Sequence, residues 1–279
     1  MRFTTHKVKK MKSRGEPIVI VTAYDATTAA IVERSGIPII LVGDSLGNVL
    51  LGYESTVPVS MDDMVRATSA VVRGTNNVLI IADMPFMAYQ ANVEQAMWNA
   101  GRLLKEGGAQ AVKLEGGRNV APTVRKLTDA GIPVMGHLGL TPQSIHHIGG
   151  YRVQGRKEGE ASALREDALS LEAAGAFSVV LELIPSEIAL SITETLSIPT
   201  IGIGAGINCD GQVQVIHDIL GLQPEFNPRH TRRYADLGHQ MQIALEQYAS
   251  DVRLGTFPTD AESFSLNNNS HPKDSPGNT

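Results

Sequence analysis

The chain of 279 residues contains one cysteine, Cys209, and therefore no disulfide within the molecule. A chain so poor in cysteine is typical of a reducing compartment, and we expect it to be cytoplasmic. All its apolar runs are shorter than the ~18 residues that a membrane span needs, and no signal-peptide pattern opens the sequence. We therefore expect a soluble protein with no membrane partner.

Aromatic residues and positive charge are also scarce. Phe, Trp and Tyr make up 5% of the chain, so the core must consist mainly of Ile, Val, Leu and Ala, as in parallel strands buried on both faces. The formal net charge of −5 argues against a nucleic-acid partner, since such proteins usually carry a basic face. One short basic cluster precedes the first strand, and we interpret it as a solvated face. Its members are Lys7, Lys9, Lys10, Lys12 and Arg14.

Short β-branched runs alternate with helix-like stretches along the chain. The helix-like stretches end near glycine or proline, and Ser60 with Asp63 forms a capping pattern. Eight such pairs predict a parallel sheet, and their number favours a closed (β/α)8 TIM barrel over an open doubly wound sheet, which needs about five or six. The predicted strands are 18–22, 39–42, 78–82, 111–114, 133–137, 178–182, 200–203 and 213–219.

Three segments depart from this regular pattern. The eighth strand is weaker, because Gln214 and His217 interrupt it. The stretch 139–159 is rich in Gly and His and predicts a long loop with a short helix, and such loops are usually functional. We expect one catalytic domain over 1–264, with a closing helix at 234–254, and a disordered polar tail over 265–279.

Four acidic residues, Asp44, Asp83, Glu115 and Glu182, lie at or just past the ends of predicted strands. In a (β/α)8 barrel the catalytic groups come from these strand ends and the loops that follow. Any one acid could instead be a helix N-cap or a solvated loop residue. Together in one cleft they would repel each other by about 4 kcal/mol per pair at about 4 Å and an effective dielectric of about 20. Such a cluster requires positive charge nearby.

A bound cation and Lys113, which shares a strand face with Glu115, would supply that charge. Oxygen donors without thiolate favour Mg²⁺, Mn²⁺ or Ca²⁺ over zinc. A 2-oxo acid can chelate such an ion, which then stabilises an enolate, and a carboxylate that is not a ligand can act as the base. Glu182 is the candidate for that base. The pattern predicts a carbon–carbon bond-forming or bond-breaking step on a small oxo acid.

Other polar motifs have two interpretations each. The glycines at 202, 204 and 206 could bind a phosphate or allow close backbone packing, which we favour. His137 could contact the substrate or metal, or be a hydrogen-bonded core residue. His146 and His147 lack the spacing of a helical zinc pair and fit a structural or substrate-covering loop. We interpret Cys209 as an inert thiol.

The sequence resembles the ketopantoate hydroxymethyltransferase family of the phosphoenolpyruvate/pyruvate barrel group. The resemblance covers nearly the whole chain, from about residue 10 to residue 264. The motifs GDSLG (43–47), KLEGG (113–117) and GGYRVQGR (149–156) are highly specific in this order and spacing. The other matching stretches are VTAYD (21–25), ADMPF (82–86), GHLGLTPQS (136–144), IGIGAG (201–206), HDILGL (217–222) and FPTDAESF (257–264).

The resemblance implies transfer of a one-carbon unit from 5,10-methylenetetrahydrofolate to 3-methyl-2-oxobutanoate, giving ketopantoate for pantothenate synthesis. Asp44 and Asp83 would bind Mg²⁺ and line the substrate site, with Glu115 as a further ligand, direct or through water. Ser45 and Lys113 would hold the carboxylate side of the oxo acid, and His137 would lie against it. Glu182 would remove the C3 proton. The family is typically a cytoplasmic homodecamer.

Three positions depart from the family's usual pattern, namely Asn48, Leu183 and Gln214. None removes a metal or acid–base group, so the changes concern local packing and folate affinity. Two other hypotheses stay open. A lyase or mutase of the same barrel group would use a similar Mg²⁺ site but predicts an essential Cys in a mobile lid. An inactive ligand-binding barrel predicts loss of one site carboxylate.

Overall fold

The computed structural model of the chain describes residues 2–225 and 228–266. Eight parallel strands close into a barrel in chain order, with β8 paired to β1, so the predicted (β/α)8 barrel is confirmed. The strands are β1 (Ile18–Thr22), β2 (Ile39–Val42), β3 (Leu79–Asp83), β4 (Ala111–Glu115), β5 (Val134–Gly139), β6 (Ser178–Glu182), β7 (Thr200–Ile203) and β8 (Gly211–Gln214).

One helix precedes β1, and the others follow the strands. They are α1 (Thr5–Ser13), α2 (Ala26–Arg34), α3 (Leu46–Val49), α4 (Met61–Arg73), α5 (Val93–Lys105), α6 (Ala121–Asp129), α7 (Ile145–Ile148), α8 (Glu158–Ala173), α9 (Ser186–Thr195), α10 (Ile216–Leu220) and α11 (Leu237–Leu254). Ser60 and Asp63 form the capping box at the start of α4 that the sequence predicted. None of the described helices is both long enough and apolar enough to cross a membrane.

The side chains of each strand divide between two apolar cores. In β2, Ile39 and Leu41 point into the barrel, while Ile40 and Val42 pack outward against the helices. This alternation follows from the two-residue period of a strand. It also explains the few aromatic residues, because β-branched and small side chains fill both narrow spaces.

Helix α1 closes the N-terminal end of the barrel. Val8 is fully buried against the inner core, and Phe3 and Met11 pack beside it. Lys12 Nζ donates to Thr193 O at 2.8 Å and to Asp210 Oδ2 at 2.9 Å. The interpretation of the basic cluster as a solvated face was therefore wrong for Lys12, whose ion pair ties α1 to the loop before β8.

The eighth strand was predicted too far along the chain. It spans Gly211–Gln214, and most of the remaining predicted segment forms α10. A Cβ at Gly211 would lie 2.3 Å from Ile18 O, so only glycine permits this close pairing with β1. Between β5 and α8, the chain contains a 3-10 turn at Pro142–Ser144 and α7, as expected for a long loop with a short helix. The predicted tail lies outside the described residues from position 267 onward.

Candidate active site

Five polar side chains lie buried at the C-terminal end of the barrel, each with 2–5% of its surface exposed. They are Asp44, Asp83, Lys113, Glu115 and His137. Strand register explains their proximity, because Asp83 pairs with Lys113 across β3 and β4, and Glu115 pairs with His137 across β4 and β5. Glu182 ends β6 on the next strand. The acidic residues that the sequence placed at the ends of strands therefore lie together at the C-terminal mouth of the barrel.

Lys113 and Asp83 form a buried ion pair, with 2.8 Å between Nζ and Oδ1. The other Asp83 oxygen, Oδ2, accepts a hydrogen bond of 3.0 Å from the Asp44 backbone N–H. Burial lowers the pKa of Lys113, but the charges of Asp83, Glu115 and Asp44 outweigh this effect and raise it above its ordinary value. Lys113 is thus a fixed positive charge among three carboxylates.

Gln143, from the loop after β5, connects two of those carboxylates. Its side-chain Nε2 donates to Asp44 Oδ2 and to Met84 O, each at 2.9 Å, and its backbone N–H donates to Glu115 Oε2 at 3.1 Å. Burial and the neighbouring charges of Asp83 and Glu115 still hold the pKa of Asp44 well above its usual range. The site therefore has more negative charge than its own cations neutralise.

His137 lies between two carboxylates. Its Nε2 is 3.1 Å from Glu182 Oε2, and its Nδ1 is 3.4 Å from Glu115 Oε1 and 3.4 Å from Lys113 Nζ. Burial and Lys113 lower the pKa of His137, but Glu115 and Glu182 raise it on balance to about 9. Glu182 has 15% of its side chain exposed, more than its neighbours, and faces the open end of the barrel.

Two tyrosines support this cluster and were not assigned from the sequence. Tyr89 Oη accepts from the Glu115 backbone N–H at 3.0 Å and donates to Gln143 Oε1 at 2.9 Å. Tyr24 Oη lies 2.8 Å from Ser45 Oγ. Tyr24 lies within the motif VTAYD and Gln143 within the motif GHLGLTPQS. These motifs are the only sequence features that could have indicated a role for the two residues.

A family model described as ketopantoate hydroxymethyltransferase matches residues 2–260. The chain belongs to this family. A relative named 3-methyl-2-oxobutanoate hydroxymethyltransferase from Chloroflexus aurantiacus is 61% identical over 258 residues, covering 92% of this chain and 91% of the relative. Another with the same name, from Dehalococcoides mccartyi strain CBDB1, is 58% identical and covers 95% of both chains.

Solved structures with the same barrel are far more distant in sequence. A phosphonopyruvate hydrolase complexed with oxalate and Mg²⁺ is 12% identical, with a TM-score of 0.60 over 95% of this chain and 93% of that one. A 2,3-dimethylmalate lyase is 14% identical, with a TM-score of 0.58 over 95% and 93%. At such identity these likenesses show the fold alone.

The close relatives decide between the hypotheses that the sequence left open. The ketopantoate hydroxymethyltransferase family transfers a hydroxymethyl group to 3-methyl-2-oxobutanoate, and this chain is an enzyme of that activity, which produces ketopantoate in pantothenate biosynthesis. The prediction of a transferase is confirmed. The names of the relatives do not support the lyase or mutase hypothesis. The inactive-scaffold hypothesis predicted the loss of one site carboxylate, and all four are present.

The remaining residues singled out in the sequence are explained by local packing, burial or exposure. A Cβ at Gly204 would lie 2.6 Å from Leu183 Cδ2, and a Cβ at Gly206 would lie 2.6 Å from Ser186 Cβ, so these glycines permit close packing. Cys209 is partly buried, and burial raises the pKa of its thiol, which makes it unreactive. His146 and His147 are exposed on α7, beside the barrel mouth.

The donor set of the ketopantoate hydroxymethyltransferase site fits a hard divalent cation. All its acidic donors are oxygens, and the buried Glu115 Oε1 makes no hydrogen bond within the described part of the chain. Among the described residues, no three His, Cys, Asp or Glu side chains are arranged as ready metal ligands. The residues therefore suit an ion that takes one or two carboxylates and leaves other positions to water and substrate, as Mg²⁺ does.

Proposed function

We propose that this enzyme removes the C3 proton of 3-methyl-2-oxobutanoate with Glu182 and joins the resulting enolate to the methylene carbon of 5,10-methylenetetrahydrofolate. The C3–H bond breaks and the proton passes to the Glu182 carboxylate. C3 then forms a bond to the methylene carbon as the bond from that carbon to N10 breaks, and N10 takes up a proton. Water replaces N5 on the same carbon as the second C–N bond breaks, and the proton lost from water goes to N5, which releases tetrahydrofolate and leaves the hydroxymethyl group of ketopantoate. The observation that carries the proposal is the buried cluster of carboxylates, Lys113 and His137 beneath Glu182.

Asp44 and Asp83 are the residues that would hold Mg²⁺, with Glu115 as a further ligand, directly or through water. When bound, the ion would act as a Lewis acid on the keto group of the substrate. Gln143 supports this assignment, because its hydrogen bonds hold Asp44 and Glu115 in place. Similar supporting hydrogen bonds orient metal ligands in other proteins.

Three further side chains would bind the oxo acid, together with Asp44 and Asp83. Lys113 supplies a fixed positive charge, and Ser45 supplies a hydroxyl next to Asp44, both suited to the carboxylate side of the substrate. Asp44 and Asp83 also line this space. His137 holds the Glu182 carboxylate from below, at 3.1 Å, and presents its ring to the substrate.

Hydrogen exchange tests the proposed chemistry without folate. The protein is incubated with 3-methyl-2-oxobutanoate and Mg²⁺ in D₂O, and the C3 hydrogen is followed by NMR. We expect exchange that requires the metal and falls by a factor of about 10²–10⁴ in Glu182→Gln. The control Glu187→Gln changes an exposed carboxylate on the following helix and should exchange as the wild type does. Exchange that survives unchanged in Glu182→Gln would assign the base elsewhere.

We also propose a homodecamer, as the family resemblance implies. The support in this chain is α11, on which no residue is buried although several are large and apolar. Met241, Ile243, Leu245 and Tyr248 are each more than half exposed. Light scattering after gel filtration tests this assembly, and Leu245→Glu should reduce the measured mass if α11 lies between subunits. An unchanged decamer in that variant would place the interface elsewhere.

The cytoplasm is the proposed location. The single Cys209 supports a reducing compartment. Measurement of hydroxymethyltransferase activity in fractionated cells tests it, and activity outside the cytoplasmic fraction would contradict it.

A further inference from the structure

A groove of about 700 Å³ lies beside the barrel mouth, outside the carboxylate cluster. Two segments form its walls, a loop within residues 52–58 and helix α7 with the two glycines that follow it, within 145–150. The polar and aromatic side chains that line it include Tyr53, Glu54, Ser55 and His146, and Gly149 and Gly150 contribute backbone. The volume lies within the range of small-molecule sites, which is about 300–1,000 Å³. The oxo acid is far too small to need this space.

Both walls are attached to the residues of the candidate active site. The first follows Asp44 and Ser45 through α3, and two hydrogen bonds hold it to that helix: Tyr53 N–H donates to Gly47 O at 2.8 Å, and Asn48 Nδ2 donates to Tyr53 O at 2.9 Å. The second begins two residues after Gln143, which donates hydrogen bonds to Asp44 and Glu115. The groove therefore opens next to the reacting groups.

We propose that this groove binds the pterin ring of the folate co-substrate, with Glu54 as its polar anchor; this inference rests on the proposed function. The pyrimidine edge of a pterin carries a 2-amino group and an N3–H as adjacent, parallel donors. A carboxylate accepts such a pair with both oxygens, which makes a strong and directional contact. Glu54 is the one carboxylate among the residues that line the groove.

The remaining lining suits the flat ring. Tyr53 is 39% exposed and offers an aromatic face to a planar heterocycle. In a pterin, N5 and the carbon that bears the N10 side chain lie opposite the pyrimidine edge. With that edge on Glu54, the one-carbon unit between N5 and N10 is directed away from Glu54 and toward the substrate of Glu182.

Steady-state kinetics and hydrogen exchange on the same variants test the inference. Loss of a charged hydrogen-bond partner costs about 1.5–3 kcal/mol, so Glu54→Gln should raise KM for methylenetetrahydrofolate about 10- to 100-fold. Tyr53→Leu should raise it as well. Folate-independent exchange of 3-methyl-2-oxobutanoate should stay within about twofold of wild type in both, because neither residue contacts the oxo acid. Glu94→Gln removes an exposed carboxylate from α5 and is the matched control.

A binding experiment separates this inference from the proposed function. Tetrahydrofolate is titrated onto the wild type and the three variants, and we expect the same order of Kd as of KM. Normal exchange together with an unchanged KM and Kd in Glu54→Gln and Tyr53→Leu would overturn the pterin site and leave the proposed function intact. Absence of exchange in the wild type would overturn the proposed chemistry, and the pterin site with it.

Discussion

Asp83 and Lys113 are paired in register across two neighbouring strands, and their side chains form an ion pair of 2.8 Å with at most 5% of either side chain exposed. Both strands end at the barrel mouth, so the pair forms the floor of the site. An ion pair at this depth is stabilising only as a unit, because either charge alone would be buried without a partner.

Replacing Lys113 by Met should therefore destabilise the protein by about 3–5 kcal/mol, since Asp83 would keep a buried, uncompensated charge. Urea unfolding measures this change. The double variant Lys113→Met with Asp83→Asn should recover a large part of the loss, although it should lack activity. A single variant that loses less than about 1 kcal/mol would mean that the pair is more hydrated than its burial indicates.

We expect Gln143 to affect metal binding through Asp44 and Glu115, the two carboxylates to which it donates hydrogen bonds. Gln143→Ala removes the donor to Asp44 Oδ2, and Gln143→Glu replaces that donor with a further negative charge beside Asp44. We expect the Mg²⁺ concentration for half-maximal activity to rise about 10- to 100-fold in Gln143→Ala. In Gln143→Glu we expect a lower kcat as well.

A matched control for Gln143 is Asn76→Ala, which removes an exposed side-chain amide from the loop before β3. An equal loss of kcat in the two Gln143 variants, at any Mg²⁺ concentration, would argue that Gln143 supports the loop rather than the ligands. Thermal unfolding of each variant distinguishes a local effect from a loss of folded protein.

Gly139 should be needed to place Glu182. The two residues are paired in register, Gly139 has φ of 92°, and a Cβ there would lie 2.1 Å from Glu182 O. Gly139→Ala must therefore displace the backbone of Glu182, and we expect about 2–4 kcal/mol of destabilisation and, if Glu182 removes the C3 proton as proposed, at least a tenfold loss of exchange.

The control Gly131→Ala has a similar φ of 85°, but no atom lies within 4 Å of its added Cβ. It should lose only about 1 kcal/mol, from backbone strain, and keep its exchange rate. If both alanine variants behaved alike, strain at glycine rather than contact with Glu182 would explain the effect.

Asp218 should make stability depend on pH. Burial raises the pKa of Asp218 from its ordinary value of 3.8 to about 6, although Arg233 opposes this shift. A carboxyl whose pKa is higher in the folded state contributes stability that is complete below about pH 4 and is lost as the pH rises through 6. Asp218→Asn has no such loss, so its stability relative to wild type should increase by about 1–2 kcal/mol between pH 4 and 7.5.

Urea unfolding of wild type and Asp218→Asn at several pH values measures this difference. A difference that stays constant across the range would show that the pKa of Asp218 is the same in the folded and the unfolded protein, so that burial does not raise it.

Most of the fold and much of the site could be predicted from sequence because both follow from short periodic patterns. β-branched runs bounded by turn residues identified seven strands with small errors at their ends. Since acids that end parallel strands must share one mouth, Asp44, Asp83, Glu115 and Glu182 could be placed together. Lys113 followed from its strand parity with Glu115.

Features that depend on contacts across the fold could not be predicted. β8 begins at Gly211 because of the close approach of Ile18, which no local pattern records. Gln143 and Tyr89 come from loops, where side-chain direction is not set by a period. Leu183 has φ of 45°, an uncommon conformation for a branched side chain, and its N–H donates to Ile203 O at 2.9 Å.

Side chains fill the interior of the barrel and α1 packs against its N-terminal end, and this has a kinetic consequence. With Val8 and its neighbours sealing the opposite side, both reactants must enter and both products must leave past the same rim. In the proposed function the oxo acid would lie at the bottom, on the strand ends, and the larger co-substrate would lie above it. We therefore expect a compulsory sequence of events, in which the keto acid arrives first and ketopantoate departs only after tetrahydrofolate has left.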